Sequence, residues 1–189
     1  MNQVSVKRAE PELVFQHAIE GLFLMGLKGR VTDDVKRQLR TAGLDLDKPL
    51  AASCSRAQWN RYVQIAVAGI WAGEPDAVAY HAMGRRLALG YTETLVGRAV
   101  AGVLRLIGPR RTLERMDRSF RSGNNYTVCR LTQRSPTEAS FWINETTLHP
   151  AMTTGLLEAG LELSGAKGSK IDIEGQDAEG CAYRVTWQA

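Results

Sequence analysis

Side chains able to hold or transform another molecule are unevenly spread along this chain of 189 residues. Arginines crowd one stretch, with Arg110, Arg111, Arg115, Arg118 and Arg121 all lying between Gly108 and Tyr126. A guanidinium presents a planar fork of donors that matches carboxylate or phosphate, so this stretch is where an anion or an acidic partner would be received. It ends in Ser122-Gly123-Asn124-Asn125-Tyr126, a polar turn sequence. The histidines His17, His81 and His149 are scattered, and no spacing brings them together for acid–base or metal work. Cys54, Cys129 and Cys181 form no Cys-x-x-Cys pair, and an odd count of distant thiols fits reduced cysteines in a cytoplasm. Asp45 and Asp47 fall in a short acidic run, but Lys48 and Pro49 stand where calcium ligands and a glycine are needed. There is no Gly-x-x-x-x-Gly-Lys loop, no strand followed by Gly-x-Gly-x-x-Gly, and no His-Glu-x-x-His. No catalytic residue and no metal ligand is therefore assigned, and the chain is not expected to be an enzyme.

The elements that must position these residues change character at Gly108-Pro109. Before it the apolar residues recur at helical spacing, and after it they alternate. Residues 1–12 read as a flexible arm and 13–189 as a single domain. Leu13 to Phe15 suits a short strand, Ala18 to Leu27 a helix, and Thr32 the cap of a second helix with Val35 and Leu39 inward. Trp59, Tyr62, Val63, Ala66 and Ile70 mark a third helix. A helical region then runs from Glu74-Pro75 to Ile107, with Val96, Val100, Val103 and Ile107 as its inward stripe. Gly84, Gly90, Gly97 and Gly102 punctuate that region, and each weakens a helix by about 1 kcal/mol relative to alanine. They mark a kink or a close approach by a neighbour or a ligand. Pro109 opens a short helix whose stripe is Leu113, Met116 and Phe120, with Arg111, Arg115 and Arg118 on the other side. Two hairpins follow, one on each side of a helix opened by Pro150, and Ser164 to Ser169 reads as a loop. Helices first and an antiparallel sheet afterwards define an α+β fold: a helical layer packed on a C-terminal antiparallel sheet with one helix between its two hairpins.

The totals narrow the classes. A composition 44% hydrophobic and 23% charged is that of an ordinary globular protein. The net charge of +4 comes from 24 basic residues interspersed with 20 acidic ones, which argues against nucleic acid as the partner. Leu95 to Ile107 is apolar but too short to span a bilayer and carries Arg98 and Arg105. Residues 1–12 lack the apolar run of a signal peptide, so a cytoplasmic location is expected.

Several segments occur in the order seen in one family. They are Glu20-Gly21-Leu22-Phe23, Gly43-Leu44-Asp45-Leu46-Asp47, Gly84-Arg85-Arg86, Gly90-Tyr91, Gly97-Arg98, Gly108-Pro109-Arg110-Arg111 and Gly123-Asn124-Asn125-Tyr126. In these, nearly the whole chain resembles a set of paralogous myxobacterial proteins of uncharacterised function. Its architecture also resembles, more distantly, the superfamily of haem–nitric oxide sensors, four-vinyl-reductase domains and vesicle-tethering subunits. The sensors carry Tyr-x-Ser-x-Arg. Here Tyr126-Thr127-Val128-Cys129-Arg130 keeps the Tyr and the Arg, and no histidine lies between His81 and that motif, so no cofactor, haem included, is expected. The resemblance implies a non-enzymatic sensory or regulatory module that binds a small apolar or amphipathic ligand between helices and sheet, as a homodimer. Gly90, Tyr91, Gly97, Arg121, Asn124, Asn125 and Tyr126 are the expected ligand-binding residues. The alternative is a protein–protein interaction adaptor without a ligand, which docks an acidic partner on Arg111, Arg115 and Arg118.

Overall fold

The structure, a computed structural model, describes residues 10–188. Most of the arm expected at 1–12 lies outside that range. Glu12 is held by its carbonyl, which accepts from the Arg56 amide at 3.0 Å. Strand β1 (Leu13–Phe15) pairs antiparallel with β2 (Ser53–Ser55), and this two-stranded ribbon is separate from the main sheet.

Helix α1 (Gln16–Ile19) runs on into a π-helical segment, Glu20–Gly26. The sequence reading has an ordinary helix here, and the difference lies in Gly21 and Gly26. A Cβ on Gly26 would lie 2.3 Å from the Arg86 carbonyl oxygen, and one on Gly21 would lie 2.8 Å from the Tyr91 Cα. Only glycine lets the two backbones meet. The widened turn is held by the apolar contacts of Leu22 and Phe23, both fully buried. Thr32 caps α2 (Asp33–Thr41), which buries Val35 and Leu39. A reciprocal capping box of Ser55 and Gln58 starts α3 (Arg56–Ile70). Its inward Trp59 and Tyr62 meet Phe23 edge-on, at 6.1 and 6.4 Å between ring centroids.

Helix α4 (Asp76–Tyr91) is followed by α5 (Leu95–Glu114), α6 (Met116–Gly123) and strands β3 (Cys129–Ser135) and β4 (Glu138–Ile143). Helix α7 (Ala151–Leu163) then leads to β5 (Lys167–Gln176) and β6 (Cys181–Gln188). Lys167 to Ser169, read from sequence as loop, already belongs to β5. The four strands form one antiparallel sheet in the order β3-β4-β6-β5. The fold is α+β.

α5 corrects the sequence reading most. Its buried face is Thr94, Gly97, Ala101 and Leu104, while Val96 and Val103 point outward. Hydropathy finds the valine stripe, but packing turns the helix so that the adjacent face of Gly97, Ala101 and Leu104 is buried and only Val100 of that stripe reaches the cavity wall. Gly108, at φ +77°, breaks α5 before Pro109, as Gly-Pro predicts. Two buried cores result. One joins Leu22, Phe23, Leu27, Trp59 and Val63 among the helices, and the other joins Leu113, Met116, Phe141, Leu157 and Tyr183 between α6, α7 and the sheet.

Candidate functional site

Where the two cores meet there is a cavity of about 170 Å³. Its walls are almost wholly apolar. α5 contributes Gly97, Val100, Ala101 and Leu104, α6 contributes Met116 and Phe120, α7 contributes Met152 and Leu156, and Ile143 closes the sheet side. Protein interiors seldom leave voids larger than a water molecule. This one exists because α5 presents glycine and alanine where a filled core would carry leucine. An apolar cavity of this size has room for a benzene-sized molecule.

The polar groups stand at its edge. Ser122 Oγ donates to the Ser119 carbonyl at 2.6 Å, so its single proton is used. The 2.8 Å contact between Tyr91 Oη and Ser122 Oγ is therefore donated by the tyrosine, which keeps its oxygen lone pairs free. Burial pushes the Tyr91 phenol above its ordinary pKa, so the hydroxyl stays protonated at neutral pH. His17 lies beside it, 5.8 Å between ring centroids, with Nε2 bonded to the Ser122 carbonyl.

Tyr126 is set by two asparagines. Asn124 Oδ1 accepts from the amides of Tyr126 and Thr127, at 3.1 and 2.8 Å. Asn144 Nδ2 donates to the Tyr126 carbonyl at 3.0 Å, and its Oδ1 accepts from the Val128 amide at 2.9 Å. Burial raises the Tyr126 pKa strongly, and the Glu145 charge adds to that. Arg56 lies over the ring at 4.7 Å and bonds Glu12, Glu145 and the Asn144 carbonyl. Sequence reasoning missed Arg56, Asn144 and Glu145. Arg56 opens a helix 70 positions before Tyr126, and nothing local signals their meeting.

Of the seven residues expected to bind a ligand, Tyr91, Gly97, Asn124 and Tyr126 line the cavity. The other three are placed elsewhere. Gly90 packs against the π-helical segment, where a Cβ would lie 2.0 Å from the Gly21 carbonyl oxygen. Arg121 is exposed and pairs with Asp117 at 3.1 Å, because Met116 and Phe120 occupy the inner face of α6. Asn125 is exposed too and works as a clamp: its Oδ1 accepts from the Leu13 amide at 2.8 Å and its Nδ2 donates to the Pro11 carbonyl at 2.9 Å. Arg111, Arg115 and Arg118 are exposed and, among the described residues, have no carboxylate within 4.0 Å. Arg130, kept from the sensor motif, lies over Trp142 at 4.4 Å and is not part of the cavity wall.

A family profile described as Protein of unknown function (DUF2378) matches residues 12–188. Among curated proteins nothing matches. Solved structures share the fold. One, described as "Modulating Heme Redox Potential Through Protein-Induced Porphyrin Distortion", is similar with a TM-score of 0.63 and 12% identity over 92% of both chains. An Fe(II) unliganded H-NOX protein from K. algicida is similar with a TM-score of 0.63 and 10% identity, over 92% of this chain and 95% of its own. An oxygen-binding H-NOX domain related to soluble guanylate cyclases, in its oxygen complex, gives 0.61 and 15% over 92% of each. At these identities the likeness establishes the fold.

The comparison corrects one expectation. The sequence reading assigns no cofactor, haem included, yet structures that share the fold over 92% of this chain are described by haem distortion and haem redox potential. A haem-type group thus belongs among the ligands to be considered. The wall fits part of such a group. Apolar side chains suit a porphyrin ring, and the Tyr91 phenol and the Met116 and Met152 thioethers are of types that ligate haem iron. No arginine or lysine stands among the lining residues to meet carboxylates.

Proposed function

This chain belongs to the family described as Protein of unknown function (DUF2378), and we propose that it is a sensory module that holds a small apolar or amphipathic molecule in the cavity between its two cores. The apolar lining of this half-open cavity carries the reading. Its walls reward transfer of an apolar guest from water by about 25 cal/mol for each Å² buried, and the Tyr91 hydroxyl offers one acceptor to a polar head. A short-chain or small ring compound fits the cavity as it stands, and a tetrapyrrole, several times larger, requires its open side to widen. The guest is bound and not transformed. It presses on α5 through Gly97 and Ala101, and Gly108 is the joint at which α5 changes direction.

The test is a pair of titrations, one with haemin followed by absorbance and one with an uncharged fluorescent apolar probe. Each uses the wild type and Ala101→Phe, which fills the cavity from its wall. Binding of at least one probe, weakened about tenfold or more (1.4 kcal/mol) by the variant, is expected. Failure of both to bind the wild type below about 100 μM, or equal binding by the variant, contradicts the reading.

A further inference from the structure

The outer face of α5 does not look like the outside of a water-soluble helix. Leu95 and Leu106 are each 87% exposed, with Val96 at 40% and Val103 at 42%. Leu95, Ala99, Gly102 and Leu106 recur at spacings of four, three and four, which stacks them in one stripe over three turns. Arg98 and Arg105 are seven apart and form one flank of that stripe, and both are exposed. A Cβ on Gly102 would meet nothing within 4 Å. Neither cavity nor core uses this surface.

The segment that carries this face is also rich in positive charge. From Leu95 to Arg121 there are seven arginines and two carboxylates, Glu114 and Asp117. That surplus of five exceeds the surplus of four carried by the whole chain, so the remainder of the protein is slightly acidic. Exposed leucines framed by arginines are the composition of a helix that lies in a lipid–water interface. Nucleic acid would use the arginines but leave Leu95 and Leu106 in water. No helix of the described residues is long and apolar enough to cross a membrane, so the contact is with its surface.

We propose that the outer face of α5, with the exposed arginines that follow its break at Gly108, docks this protein on an anionic lipid surface. Leu95 and Leu106 enter the headgroup region, and Arg98, Arg105, Arg111, Arg115 and Arg118 meet the lipid phosphates and carboxylates. The proposal is independent of what the cavity holds.

The experiment is co-sedimentation of the full chain with vesicles of phosphatidylcholine, with and without about one-third phosphatidylserine, at physiological salt. Partition to the anionic vesicles alone is expected. Arg98→Glu with Arg105→Glu should weaken it by at least about fivefold per arginine. Leu95→Ser with Leu106→Ser should weaken it about tenfold per leucine. All four residues are exposed, so thermal melts should match the wild type. As a second readout, an environment-sensitive fluorophore on Gly102→Cys should shift to the blue with anionic vesicles only. Wild type left in the supernatant overturns the proposal. So does undiminished binding of the leucine variant, which would mark an electrostatic surface for nucleic acid or an acidic protein.

Discussion

At the scale of single residues, burial holds several thiols and phenols in their neutral forms. Burial pushes the Cys54 thiol up to about 11, and Cys129, Tyr126 and Tyr183 move in the same direction. A group whose folded pKa is raised contributes stability that is present below the unfolded pKa and lost as pH climbs through the folded one. For Cys54 the window therefore opens near pH 9 and closes near 11. Urea unfolding across this range should show stability falling, by at most about 1.4 kcal/mol per pH unit for each group. Cys54→Ala should lessen the fall between pH 9 and 10 by one group's share, leaving that of Cys129 and Cys181, and equal slopes for variant and wild type would contradict this. Tyr91, Gly97, Asn124 and Tyr126 do stand at the cavity wall: a glycine inside an apolar helix marks Gly97, and the polar turn marks Asn124 and Tyr126. Arg121 and Asn125 were misread. Polar residues at a turn look alike whether they face a cavity or clamp a chain end, and only the Leu13 and Pro11 partners of Asn125 distinguish the two.

At the scale of elements, the junction of α4 with α7 depends on two glycines that face each other's backbones. A Cβ on Gly84 would lie 1.9 Å from the Met152 carbonyl oxygen, and one on Gly155 would lie 2.0 Å from that of His81. The contact is reinforced by His81 Nε2 with Glu158 at 2.7 Å and by Arg85 with Glu162 at 2.8 Å. Gly84→Ala must part the helices, so it should cost at least about 2 kcal/mol as an overpacked core does. That corresponds to a drop of about 4–8 °C in melting temperature for a chain of this size. A melt within about 1 °C of wild type would contradict the contact. The sequence reading expected close approach from the glycine spacing, and Gly84, Gly90 and Gly97 do meet backbone, whereas Gly102 faces open space. The existence of the later strands follows from alternation, but their ends do not: β3 starts only at Cys129, and β5 starts at Lys167, within the stretch read as loop. The facing of α5 does not follow from periodicity either, because two apolar stripes of similar strength compete on that helix and only the neighbours decide which one is buried.

At the scale of the molecule, the helical layer and the sheet are each well filled, and the space left between them is apolar. Order of elements alone gave the α+β architecture and its likeness to the haem-sensor superfamily. The cavity was not legible, since its walls come from α4, α5, α6, α7 and β4, far apart in sequence. Native mass spectrometry of gently purified protein, wild type beside Ala101→Phe, tests the central claim most directly. A second mass on the wild type, released on denaturation and absent from the variant, is the predicted result. Apo mass alone for both, before and after incubation with haemin or an apolar probe, would contradict it.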